Sequence, residues 1–110
     1  MHSRFSPAEH ANFIAGKVVS YAESFLNERA DRALLGRNAQ SVMIELVACA
    51  DDPAAKAILD PARLLTIAMI GAAGADDWAR RMRWCEVMTA LVAMVRQESN
   101  ELRKSGVQRS

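Results

Sequence analysis

Apolar residues recur at intervals of three and four along almost the whole chain, and no useful stretch alternates with period two. The pattern predicts helices throughout and gives a sheet no support. A first helix carries the stripe Ala11, Ile14, Val18, Tyr21, Ala22 and Phe25. Its start is marked by Ser6-Pro7-Ala8-Glu9, a capping box with proline at the first helical position, where the missing N–H costs nothing. Arg29 and Arg32 interrupt the stripe, so the helix is expected to kink or end between Asn27 and Gly36, with Gly36 as the natural stop.

A second helix, about Asn38 to Ala50, is apolar nearly all round apart from a strip of Asn38, Ser41, Glu45 and Asp52, and is expected to form the centre of the core. Asp52-Pro53 and Asp60-Pro61 both read as cap plus first turn. They predict a short turn over Pro53 to Leu59 and a separate helix from Pro61 to about Ala72, ended by Gly71 and Gly74. Asp76 is expected to cap a last helix reaching about Lys104, with residues 1–5 and 105–110 as flexible ends. The expected fold is a single all-α domain, a bundle of four main helices plus one short helical turn.

The last helix stands apart. Trp78, Met82, Trp84, Cys85, Val87, Met88, Leu91, Val92, Met94 and Val95 sweep roughly 240° of its circumference, against roughly 100° for an ordinary surface helix. At 1.5 Å per residue, Asp76 to Lys104 is about 43 Å long, whereas a domain of this size is about 35 Å across, so one end should overhang. Its own bundle could cover most of the arc. The alternative gives the rest to a second copy, in a short antiparallel pairing, because Trp78, Cys85, Met88, Val92, Val95 and Leu102 form a seam that Arg81 and Ser99 break. The homodimer and protein-partner surface expected on this basis comprises Trp78, Arg80, Arg81, Met82, Arg83, Trp84, Met88, Val92, Val95 and Leu102. Met82, Met88 and Met94 add side chains that repack easily against varied partners.

Composition narrows the class without naming a chemistry. The chain has 110 residues, 51% hydrophobic and 25% charged, the balance of a folded domain rather than a disordered one. Net charge is +1, with residues 1–52 carrying 5 basic and 7 acidic groups and residues 53–110 carrying 9 and 6. The longest uncharged run, Leu64 to Ala75, has 12 residues, fewer than the roughly 20 of a membrane span, and reads as core. Cys49 and Cys85 sit within apolar helical patterns as small buried hydrophobes, which favours a reducing cytoplasm, and the first residues lack the order of a signal peptide. Twenty alanines, and eleven arginines against three lysines, hint at a bacterial or phage origin.

Candidate chemistry is sparse. His2, His10, Cys49 and Cys85 are scattered without paired ligand spacing, so neither a metal nor another cofactor is expected. Neither cysteine has a histidine near it in its own helix to act as base. Gly71-Ala72-Ala73-Gly74 follows a helix and lacks the lysine of a phosphate loop. Glu45 is either a buried acid or, by the stronger reading, part of a wet strip. The chain is therefore expected to be a non-enzymatic regulator, adaptor or inhibitor that binds protein as a homodimer. One alternative is a nucleic-acid-binding regulator using Arg80, Arg81 and Arg83, with Arg63 nearby, although Asp76, Asp77 and near-zero net charge oppose it. Another is a small helical enzyme that holds an anionic metabolite through Arg29, Arg32 and Arg63.

Overall fold

Four helices follow one another: α1 Pro7–Leu26, α2 Arg32–Ala48, α3 Pro53–Gly74 and α4 Trp78–Arg109. They come from a computed structural model that describes residues 6–49 and 52–109; residues 1–5 and Ser110 of the expected flexible ends lie outside these. Each start has the local chemistry a helix needs. Ser6 Oγ accepts from the Glu9 N–H and Glu9 Oε1 from the Ser6 N–H, both at 3.2 Å. Asp31 accepts from the Leu34 N–H at 2.8 Å, and Asp52 from the Ala54 N–H at 2.7 Å. At α4 the cap is Asp77 rather than the expected Asp76, with Oδ1 2.8 Å from the Arg80 amide nitrogen.

Several boundaries differ from expectation, each for a physical reason. The first helix stops at Leu26, because Glu28 adopts a left-handed conformation (φ 60°) and lets Arg29 N–H reach Ser24 O at 2.7 Å and Glu28 N–H reach Phe25 O at 3.1 Å. That double closure satisfies carbonyls a helix end leaves open, a task glycine usually performs. Gly36 ends nothing; it lies inside α2, with Ala73 of α3 close by. The separate turn over Pro53 to Leu59 is the first part of α3, which runs through Pro61. Ala55, Ile58 and Leu59 before the proline share one buried face with Ala62, Leu65 and Met69 after it, so a continuous helix keeps all six in the core. The carbonyl deprived of a donor belongs to Ala57, an exposed residue, where water can serve it. Asp60, freed from capping, pairs with Lys56 at 3.1 Å and lies 3.7 Å from Arg63. The last helix passes Gly106 and continues to Arg109.

The central helix is α3, not the second helix. α3 packs against all three others and α1 against all three, whereas α2 and α4 do not meet among the described residues. α1 and α3 therefore form the middle pair, with α2 on one flank and α4 on the other. One continuous core draws on all four helices, and Ile14, Leu35, Leu65, Met69 and Met88 are among its largest fully enclosed members. Thr66, the buried polar side chain, is satisfied by Ala62 O at 2.9 Å. By contrast α2 buries only Leu35, Ala39, Val42 and Leu46. Its remaining apolar residues face outward.

The overhang is present. Thirty-two residues at 1.5 Å make α4 about 48 Å long, and the molecule measures 48 × 27 × 22 Å. By length and composition α3 could cross a membrane. Half of that stretch is buried inside the bundle, and the helix supplies more core residues than any other described.

Candidate functional site

Around α4 the ten residues expected to form one surface divide between two environments, with Arg80 and Arg83 exposed outside both. Met88, Val92 and Val95 are buried against α1 and α3, and their apolar area is already used inside the chain. Trp84 is half-buried, its indole lying flat on Gly71 of α3. Leu102 is half-buried further along.

The second environment is the junction of three helix ends. Arg32, at the start of α2, donates from Nη1 to Ala75 O at 2.5 Å, and Arg81 donates from Nη2 to the same oxygen at 3.3 Å. Ala75 ends α3, where unpaired carbonyls and the negative end of the dipole favour guanidinium groups. These two arginines are therefore fastenings. Arg81 also brings a buried Nε with no partner among the described residues. A groove of about 1190 Å³ opens beside this junction, between the end of α1 and α4. Trp78, Met82 and Cys85 line it together with Glu23, Glu28, Asp31 and Glu86 against Arg29, Arg32, Arg81 and Arg96. Four acids offset four arginines, and Arg96 is paired with Glu23. Arg63 is not in the groove, so the three arginines of the anionic-metabolite reading are not brought together.

The basic cluster divides in the same way. Arg81 turns inward, while Arg80 and Arg83 are exposed. Arg63 lies twelve residues before Ala75 along α3, about 18 Å from the end where α4 begins, and pairs with Asp60 instead. The four basic groups do not form one phosphate-binding patch.

Separate from those ten residues are exposed apolar side chains that the sequence pattern did not isolate. Ile44 and Val47 of α2 are 72% and 79% exposed, and Leu64, Ile67 and Ile70 of α3 are also open to solvent. α2 is oriented by Glu45, whose carboxylate oxygens lie 2.8 and 2.9 Å from Lys17 Nζ of α1. On α2, Ile44 and Val47 lie on the sector turned away from the buried Leu35, Ala39, Val42 and Leu46. On α4, Val87 and Met94 are likewise exposed. Large apolar side chains are thus exposed on α2, α3 and α4. The clue was in α2 all along: a helix apolar nearly all round can be central, or it can lack its partner.

Both cysteine thiols are shifted toward the protonated form. Burial pushes the Cys49 thiol up from its ordinary value and outweighs Arg63, which lowers it; burial likewise raises Cys85 against the opposing pull of Arg81. A thiol held above its usual range stays protonated, and the thiolate is the reactive species. Alkylation by iodoacetamide at neutral pH should be several-fold slower in the folded chain than in urea, and should accelerate as pH rises past the ordinary thiol range. Equal rates in the two states would show that these thiols are not enclosed. Among the described residues no three His, Cys, Asp or Glu side chains converge as metal ligands. Compared with protein families, with characterised proteins and with solved structures, the chain matches none.

Proposed function

We propose that this chain is a non-enzymatic helical module that binds another protein, as a regulator, adaptor or inhibitor, and works as a homodimer through α4 in a reducing cytoplasm. One observation carries the reading: Ile44 and Val47 of α2 and Leu64, Ile67 and Ile70 of α3, all large and apolar, stay exposed although the two helices pack against each other. Contiguous apolar surface of this kind is costly in water unless covered, and it marks interaction sites in soluble proteins. Apolar side chains spaced by three along α2 and α3 suit the apolar face of an amphipathic helix from the partner. The polar groups fit the same reading, because among the described residues they act as caps, inter-helix ties and charge-balanced groove walls.

A photo-reactive residue placed at Ile67 or Val47, and separately at Arg103 as an off-face control, tests this in the cell of origin. A single protein captured from positions 47 and 67, and not from position 103, is the expected result. Position-independent capture, or none at 47 and 67, would overturn the assignment.

A further inference from the structure

We infer that a second copy of this chain packs antiparallel along the outer face of α4, with Arg80 and Arg83 of each copy beside Glu98 and Glu101 of the other. This rests on the homodimer reading above and gives it a surface and a direction. The inner face of α4 is spent on its own bundle: Trp84, Met88, Leu91, Val92 and Val95 meet the core. A second line of residues, spaced by three and four, runs beside it: Arg80, Arg83, Val87, Ala90, Met94, Gln97 and Glu101. At 100° per residue these seven fall within roughly 100° of the circumference, with Glu98 at the edge of the band. All seven are exposed, Val87 to 42% and Met94 to 50%. The spacing is that of a helix-pairing seam.

The order of residues along this line sets the direction. Its beginning is basic, its middle apolar and its end acidic. Place a two-fold axis between Ala90 and Leu91, and Val87 stands level with Met94 of the other copy, Arg83 with Glu98, and Arg80 with Glu101. Each copy supplies both halves, so every match occurs twice, as a self-complementary two-fold interface requires. Parallel pairing would set arginine against arginine and glutamate against glutamate, which charge repulsion disfavours. Ala90 at the axis lets the two backbones approach. The charges are available: Arg83 and Glu98 have no ion pair among the described residues, while Arg80–Asp77 at 3.8 Å and Glu101–Lys104 at 3.6 Å are long and exposed. From Arg80 to Glu101 the seam is about 32 Å long, reaching well along the overhang.

Sedimentation of the full chain and of two charge-reversed variants tests the arrangement. Arg80→Glu/Arg83→Glu makes both ends of the seam acidic; Glu98→Arg/Glu101→Arg makes both basic. Each variant alone should raise the dimer dissociation constant at least tenfold, and an equimolar mixture should recover a mixed dimer, with circular dichroism showing all three proteins folded. A wild-type dimer that both variants reproduce, with no preference for the mixed species, overturns the antiparallel seam while leaving dimerisation standing. A wild-type monomer at high micromolar concentration overturns both. Weakening by Val87→Asp or Met94→Asp but not by either reversal would overturn the charge-set direction.

Discussion

Met88→Asp is expected to abolish the native fold, whereas Val87→Asp, one position earlier, is expected to leave it intact. Met88 is fully enclosed among α1, α3 and α4, while Val87 is 42% exposed on the outer seam. A carboxylate at position 88 would have to lose its hydration without a partner or remain protonated, and the methionine's packing would be lost as well. Together these losses should exceed about 4 kcal/mol, a large share of the roughly 5–15 kcal/mol that holds a typical domain. At position 87 the substitution should change monomer stability by no more than about 0.5 kcal/mol. Thermal melts followed by circular dichroism at low concentration separate the two cases, since dilution removes any stabilisation gained through dimerisation. A cooperative melt for Met88→Asp near that of the parent chain would mean that α4 does not close the core. A large loss for Val87→Asp in the dilute monomer would mean that its face is already covered by the chain itself.

That contrast between adjacent positions shows what the sequence could reveal and where it stopped. The sequence shows an all-α bundle and two of the four helix starts to within a residue or two, because Ser6 and the Asp76-Asp77 pair are local signals read by local hydrogen bonds, and it places a cap at Asp52 but expects only a short turn after it. The starts and stops that went unseen depend on atoms distant in sequence or on an unfavoured conformation. Nothing local makes Glu28 a helix terminator; it takes up the left-handed region because the chain must turn from α1 into α2 there, and Asp31 then caps a helix that reads through Gly36. Pro61 resembles a start in isolation, yet the apolar register on its two sides is continuous, and tertiary burial outweighs the lost hydrogen bond.

The candidate surface was legible in outline. The last helix carries apolar residues round most of its girth, and period alone cannot tell which sector the bundle covers. Met88, Val92 and Val95 are buried, while Val87 and Met94 are exposed. The apolar girth of α2 is equally ambiguous, since α2 lies on a flank and leaves Ile44 and Val47 exposed. Arg81 illustrates the same limit: its neighbours Arg80 and Arg83 are indistinguishable from it in composition, and only the position of Ala75 turns it into a fastening for the end of α3.

Gly71→Ala should destabilise the parent chain and stabilise a Trp84→Ala variant, a reversal of sign that isolates one contact. Gly71 lies within α3 and needs no special backbone angle; its φ is not in the positive region. Its role is to leave room. A Cβ at this position would fall 2.6 Å from both Cδ2 and Cζ2 of Trp84, well inside van der Waals contact. The indole, wedged between α3 and α4, would have to shift and take α4 with it. Overpacking of this kind costs about 1–3 kcal/mol, and the helix propensity of alanine over glycine returns about 1 kcal/mol, so the net cost in the parent should be about 1 kcal/mol, the middle of a range of about 0–2 kcal/mol. Trp84→Ala alone should cost about 3 kcal/mol, toward the lower end for a large aromatic because the ring is only partly buried. Once the ring is gone the steric term disappears and the propensity gain remains, so adding Gly71→Ala should recover up to about 1 kcal/mol. Urea unfolding of the four proteins closes the cycle, with a coupling of about 2 kcal/mol between positions 71 and 84. The same cost for Gly71→Ala in both backgrounds would show that the indole does not occupy the space above this glycine, and that α3 and α4 are held together elsewhere along their length.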